Sequence, residues 1–215
     1  MTDAARAEAA WASALQAVAS YVAHDFRNAL NGVAVNLEVV RGRSARGAEA
    51  AAIAPFAATA AAQFEVAAAA AEALLAFARS EPGDADVAAV TVRFSRLFSI
   101  RGDTAVDVTD QSSGRARTSV PAAVVRTAVA RSVLPCLMLG HKVACEIGVG
   151  DDIFLVVTGA ADVPPLDHEL VAVASAHGVR FVSRGRTLEL RFPVHQSRAT
   201  ATTPHLNEEA EDPHR

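Results

Sequence analysis

Three polar side chains near the amino terminus, those of His24, Asp25 and Asn28, have types and spacing suited to nucleophilic chemistry. A neutral imidazole nitrogen can attack an electrophile such as a phosphoryl group and carry it covalently. A carboxylate at the next position can accept a hydrogen bond from the other ring nitrogen, which fixes the tautomer, or take up the proton on attack. Asn28 follows four residues later, one helical turn away on the same face. His24 is therefore the candidate nucleophile.

These side chains can meet only if the stretch from Tyr21 to Arg43 is helical, and its pattern predicts a helix. At about 100° per residue, an apolar seam falls opposite His24 and continues towards the amino terminus. The seam consists of Trp11, Leu15, Val18, Val22, Phe26, Ala29, Val33, Leu37 and Val40. The side of His24 carries polar residues instead: Arg27, Asn28, Asn31 and Glu38. We therefore expect the imidazole to point away from the packed side of the helix.

The segment His24-Asp25-Phe26-Arg27-Asn28-Ala29-Leu30-Asn31 resembles the phosphoacceptor box of sensor histidine kinases. In that family an acidic residue follows the histidine, and a small polar residue stands four positions after it. The resemblance implies that His24 accepts the phosphoryl group. It also implies that Asn28 orients a water that hydrolyses a partner's aspartyl phosphate. Arg27 and Asn31 could contact the phosphoryl group or the partner, and the alternative is an ordinary surface histidine.

Composition favours close-packed helices, because 51% of the 215 residues are hydrophobic, many of them alanine, and only 5% are aromatic. The net charge of −4 gives no electrostatic reason to expect a nucleic-acid partner. Cys136 and Cys145 form neither a metal-binding spacing nor a disulfide framework, which is typical of a reducing cytoplasm. We find no signal peptide and no apolar stretch of about 18 residues. A soluble, cytoplasmic protein with no membrane partner is expected.

Residues 1–80 are predicted to form two long helices. The first runs from about residue 2 to 42, capped by Thr2 or Asp3. The second ends near Arg79 and starts near Ala54, because proline suits a first turn, or near Ala48 with a kink at Pro55. Its seam is Phe56, Ala60, Phe64 (or Gln63), Ala67, Ala71, Leu74 and Ala78.

Two such helices make an antiparallel hairpin, and two hairpins make a four-helix bundle. We therefore expect a homodimer through residues 1–80, which form the dimerisation and phosphoacceptor hairpin. The alternative is a hairpin that packs only on its own carboxy-terminal domain.

Residues 86–195 are predicted to form an α/β domain, so the chain belongs to the α+β class. After a linker at 81–84 come a helix, a strand at 104–109, a helix from Pro121 to about Leu139 disturbed by Pro135, and strands at 142–149 and 152–158. A short helix at 166–176 and strands at 179–183 and 187–192 follow. Residues 196–215 are polar and predicted to be disordered. This order resembles the ATP-binding α/β sandwich of histidine kinases.

The nucleotide chemistry of that family is not retained. Its first long helix needs an asparagine for magnesium, but the chain has none between Asn36 and Asn207. Asp162 is near the place of the adenine-binding aspartate, yet Pro164 and Pro165 stand where glycine is expected. About seven residues separate Thr158 from Leu166, too few for a glycine-rich phosphate lid. We expect no ATP binding and no cofactor on this chain.

Together these features are similar to dimeric histidine phosphotransferases that resemble kinases but lack ATP binding. The resemblance implies that phosphoryl groups pass between His24 and aspartates of response-regulator receiver domains, with magnesium held by the receiver. One alternative is a response-regulator phosphatase or sequestering adaptor that forms no phosphohistidine. A further alternative is a divergent histidine kinase that is still active.

Overall fold

A computed structural model describes residues 2–79, 84–98, 105–140 and 142–195. Within these ranges two long helices come first, and a sheet covered by further helices follows. This arrangement confirms the expected α+β class. The predicted disordered tail, 196–215, and most of the predicted linker, 81–83, lie outside the described residues.

Helix α1 spans Asp3–Ala45 and is longer than predicted. Of the two candidate caps, Thr2 is the N-cap, and its Oγ1 accepts a hydrogen bond from the Ala5 amide at 3.3 Å. Gly42 does not end the helix. The helix ends at Ala45, and Gly47, which has φ of 72°, closes a Schellman motif in which Ala48 N donates a hydrogen bond to Arg43 O.

Helix α2 spans Ala50–Ala78 and begins close to the earlier of the two predicted starts. Pro55 therefore lies inside the helix, in its second turn, rather than at its first position. The tight connection of α1 to α2 is held by Arg43, whose guanidinium donates to Ala52 O at 2.9 Å and covers the Phe56 ring at 4.4 Å. These contacts start α2 before the proline.

Helices α1 and α2 run side by side in opposite directions. Contacts pair the late part of α1 with the early part of α2, as in Asn36 with Gln63, and the early part of α1 with the late part of α2, as in Trp11 with Phe77. Gln63 rather than Phe64 lies in the seam, and Phe64 is 60% exposed. The sequence pattern left both residues open for this position.

The second part of the chain contains α3 (Val87–Arg96), α4 (Ala122–Gly140) and α5 (His168–Ser175) against one sheet. Its strands are β2 (Ala105–Asp110), β4 (Lys142–Val149), β5 (Asp152–Gly159), β6 (Arg180–Arg184) and β7 (Thr187–Pro193). They lie in the order β2-β4-β5-β7-β6, with β2 parallel to β4 and the other pairs antiparallel. Two short strands, β1 (Ala85–Asp86) and β3 (Arg117–Thr118), pair separately and were not predicted.

Helix α4 ends at Gly140, one residue past the predicted end near Leu139, and it continues through Pro135, around which residues 132–137 are buried or half-buried. The predicted start of the next helix was wrong. Helix α5 starts at His168 rather than Leu166, since Asp167 caps it by accepting from the Glu169 amide at 2.9 Å.

One continuous apolar core joins the helix pair to the sheet and its helices. Helix α1 packs on α4 and α5 as well as on α2, and its amino-terminal half contains the small buried residues Ala7, Ala10 and Ala14. A chain of aromatic rings, Trp11, Phe77, Phe94 and Phe98, links α1, α2 and α3. Beyond Val22 no residue of α1 is fully buried. His24 thus lies where the helix pair leaves the rest of the protein.

Within the described ranges, two helices are long and apolar enough to cross a membrane by length and composition alone, which the sequence analysis did not foresee. Of the 18-residue apolar segment of α4, 72% is buried in protein, as in a core helix. The corresponding share in α2 is 22%. The apolar character of α2 comes largely from alanine.

Candidate functional site

The His24 imidazole projects from the side of α1 that faces away from α2, and 65% of its side chain is exposed. This is the orientation that the helical pattern predicts. Val22 and Phe26, on the opposite side of the same turns, belong to or pack against the core. The buried seam therefore fixes the rotation of the helix that keeps the ring in solvent.

Among the described residues, two side chains lie within hydrogen-bond distance of the ring, both at the same nitrogen. Asp25 Oδ1 lies 3.4 Å from His24 Nδ1, and Asn28 Nδ2 lies 3.2 Å from it. No described residue forms a hydrogen bond with Nε2. That nitrogen is therefore open to an incoming group, while both side-chain contacts fall on Nδ1. The structure brings together the three residues that the sequence singled out.

Arg27 and Asn31 lie on the same side of α1 and are exposed. Neither makes a hydrogen bond or ion pair with another described residue. Their side chains are free to meet a group or a partner that approaches His24. No contact in the structure assigns them a role.

A groove that the sequence analysis missed lies two turns before His24. Ser13 and Ala17 of α1 form one wall, Met138 of α4 another and Pro165 a third, and the groove has a volume of about 340 Å³. Ala17 precedes His24 by seven residues, so both lie on one face of α1, about 10 Å apart along the helix axis. Met138 and Leu139, at the apolar end of α4, are 62% and 57% exposed.

Arg131 closes one side of this groove. Its guanidinium pairs with Asp167 and with Glu169 and donates to Ser13 Oγ at 2.9 Å. These bonds connect α1, α4 and the start of α5. The groove is therefore bounded in part by the same helix that carries His24.

The kinase-like resemblance would place a nucleotide between α4 and the β5–α5 connection, and the residues there do not fit one. The groove at this position is lined mostly by apolar side chains, including Leu134 and Pro135, and Arg131 is already paired with two carboxylates. Asp162 is exposed beside the turn at Gly185. Among the described residues no cluster of His, Cys, Asp and Glu could hold a metal ion.

A second exposed surface, which we name the apolar flank, lies on the side of the helix pair away from α3. It includes Leu30 and Leu37 of α1 and Phe64 and Leu75 of α2, which are between 39% and 60% exposed. A cleft of about 270 Å³ between Phe26, Ala71 and Leu74 continues it alongside the turn of His24. Large apolar residues in a contiguous exposed patch are typical of an interaction surface.

No family model matches the chain, and no curated protein matches its sequence. A solved structure described as "1.7 Angstrom Structure of a Bacterial Phosphotransferase" is similar to it. The two chains are 16% identical with a TM-score of 0.47, and the match covers 82% of this chain and 94% of that one. At this identity and TM-score the likeness carries no argument about activity, which rests on the geometry of the site.

Proposed function

We propose that this protein is a histidine phosphotransferase of a two-component phosphorelay, which exchanges phosphoryl groups between His24 and receiver-domain aspartates without binding ATP. The observation that carries the proposal is the exposed imidazole whose Nδ1 is held by Asp25 while Nε2 is open. A nucleophile used on another protein must be accessible, and its reacting nitrogen must keep a free lone pair.

In the proposed reaction the Nε2 lone pair attacks the phosphorus of an aspartyl phosphate. The N–P bond forms as the P–O bond to the receiver carboxyl breaks, and the carboxylate leaves. The proton on Nδ1 stays in the hydrogen bond to Asp25, whose negative charge balances the imidazolium. The reverse sequence of bonds returns the phosphoryl group to a receiver.

Magnesium in the acidic pocket of the receiver would neutralise the phosphoryl oxygens during transfer. The contribution of this chain is to position the imidazole against the incoming phosphorus. Arg27, on the same face, could pair with a phosphoryl oxygen.

A receiver centred on His24 would also reach the groove at Ser13 and Met138, because they share a face of the molecule. In the other direction it would reach Val35, which is 64% exposed and lies three turns after His24 on the same side. We propose that these two apolar regions flank the polar centre of the docking surface. A hydrophobic and polar mixture of this kind suits a transient partner.

The apolar flank supports a homodimer. Its residues lie about a third of a turn or more from His24 around α1, so a second copy could cover them and leave the imidazole accessible. Two helix pairs joined through this flank would make a four-helix bundle.

The direct test uses a panel of purified receiver domains phosphorylated with radiolabelled acetyl phosphate. Incubation with the chain should move label onto it as an acid-labile, base-stable adduct. His24→Ala should abolish the adduct, whereas His168→Ala, an exposed histidine on α5, should retain it. Label from ATP alone, or no transfer from any receiver, would refute the proposal.

A second candidate function is dephosphorylation of the receiver, favoured by the Asn28 amide one turn from His24. An amide there could orient a water for attack on the aspartyl phosphate. In the same assay this activity would release free phosphate without labelling the chain, and Asn28→Ala would abolish the release.

A further inference from the structure

The two side chains that form hydrogen-bond contacts with His24 require opposite protonation states of the same ring nitrogen, Nδ1. The Asp25 carboxylate can only accept a hydrogen bond. Its 3.4 Å contact with Nδ1 is therefore a hydrogen bond only when Nδ1 carries the proton. The Asn28 amide nitrogen can only donate a hydrogen bond. Its 3.2 Å contact with Nδ1 is therefore a hydrogen bond only when Nδ1 carries no proton and presents its lone pair. A neutral imidazole has a single ring proton, and the two bonds therefore exclude each other.

The choice between them decides whether Nε2 can react. When Asp25 holds a proton on Nδ1, Nε2 has a lone pair directed to solvent. When Asn28 donates to Nδ1, the proton must be on Nε2, and the exposed nitrogen is no longer a nucleophile.

We propose that Asn28 is a positioning residue that holds a fraction of His24 in the Nε2–H tautomer and so slows phosphoryl acceptance, while Asp25 selects the reactive tautomer. This inference deepens the proposed function and rests on it. The competition needs no backbone movement, because all three residues lie within five positions of one helix. Rotation of the Asn28 side chain, for example towards a docked receiver, would release the ring.

The tautomer can be measured without any transfer reaction. In protein labelled with ¹⁵N-histidine, long-range proton–nitrogen correlations recorded at mildly alkaline pH distinguish protonated from bare ring nitrogens. The His24 signals are assigned by their loss in His24→Ala. We expect a mixture of tautomers in the unmodified chain, a shift towards Nδ1–H in Asn28→Ala, and a shift towards Nε2–H in Asp25→Ala.

Gln16→Ala is the matched control, since it removes an exposed amide from α1 about 12 Å along the helix axis from His24, too far to contact the ring. It should leave the His24 signals unchanged. A ring that is entirely Nδ1–H in the unmodified chain, or one whose signals Asn28→Ala does not move, would overturn the inference.

The kinetic test uses phosphoramidate, a small donor whose P–N bond breaks with loss of ammonia as the bond to Nε2 forms. The initial rate of His24 phosphorylation should rise about twofold to fivefold in Asn28→Ala, the effect of one exposed hydrogen bond, and should not change in Gln16→Ala. An unchanged or lower rate in Asn28→Ala counts against the inference.

The two proposals fail in different ways. If Asn28→Ala shifts the tautomer but no phospho-receiver labels His24, the proposed phosphotransfer is wrong and the tautomer effect is not. If phospho-receivers label His24 but Asn28→Ala does not change the tautomer of the ring, the phosphotransfer proposal stands and only the inference about Asn28 is wrong.

Discussion

The guanidinium of Arg126, on α4, lies over the indole ring of Trp11, on α1, with its central carbon 4.8 Å from the ring centroid. Arg126 is only 4% exposed, and it also donates to the carbonyls of Ala78 and Arg79 at the end of α2, at 3.3 and 2.6 Å. One side chain thus joins both long helices to the sheet-containing part of the protein. The surface around His24 is held in a fixed relation to α4 as a result.

Replacement of Arg126 by methionine should lower the free energy of unfolding by about 2–3 kcal/mol. The variant keeps an apolar stem but leaves the last carbonyls of α2 without this donor and removes the cation–π contact. Urea unfolding followed by circular dichroism would measure the change. Arg184→Met, at an exposed position of β6, is the control and should stay within about 0.5 kcal/mol. If Arg126→Met lowers the free energy of unfolding by less than about 1 kcal/mol, Arg126 does not join the long helices to α4 as described.

A second prediction concerns Gly32, which lies inside α1, where glycine is less favourable than alanine. A methyl group there would lie 2.4 Å from Gln63 Nε2, and Gln63 Oε1 accepts from Asn36 Nδ2 at 3.2 Å. Gly32→Ala should therefore destabilise the protein, because the displaced amide loses its bond to Asn36.

The same change should become stabilising once the amide is removed. In a Gln63→Ala background, Gly32→Ala should add up to about 1 kcal/mol through helix propensity. A double-mutant cycle of unfolding free energies measures this change of sign. Equal effects of Gly32→Ala in both backgrounds would refute the steric explanation.

The orientation of His24 was predictable because it depends on local sequence: a seam that repeats every three to four residues determines which side of a helix is buried. The order of helices and strands after Val87 was accessible for the same reason. Arg126 was not, because its main partners lie 47 and 48 residues away in sequence and nothing in the apolar pattern of α4 indicates them.

Other differences come from tertiary contacts that overrule local preference. Pro135 disfavours a helix locally, yet α4 is buried around it and continues to Gly140. Strands β1 and β3 have two residues each, too few for an alternating pattern. The groove at Met138 combines α1, α4 and the segment before α5, so no single stretch of sequence reveals it.

The apolar flank gives a third prediction, on the oligomeric state. Phe64→Glu introduces a charge at a residue that is 60% exposed on the flank, and it should convert a dimer to a monomer. Val35→Glu is the matched control, since Val35 is 64% exposed but lies on the His24 side of α1. Light scattering after size exclusion would measure the mass of each. A monomeric unmodified chain, or dissociation by Val35→Glu alone, would refute the flank as the interface.

The two cysteines give a fourth prediction, on pH dependence. Burial raises the pKa of the Cys145 thiol to about 12, with smaller contributions from Cys136 and Asp107, and burial also raises the pKa of Cys136. An acid whose pKa is higher in the folded than in the unfolded state binds its proton more tightly when folded. The stability it contributes is therefore complete below the unfolded pKa of about 8.5 and falls as the pH rises above it.

We expect the free energy of unfolding to decrease by about 1.4 kcal/mol per pH unit for each such thiol above about pH 8.5, up to its folded pKa. Urea unfolding at pH 7.5 and pH 9.5 measures the loss, and Cys145→Ala should reduce it, since alanine does not ionise. In the folded protein both thiols should react slowly with a thiol reagent at pH 8 and rapidly once urea is added. Rapid reaction of Cys145 in the folded state would show that its surroundings are open to water, and the argument from burial would then be wrong.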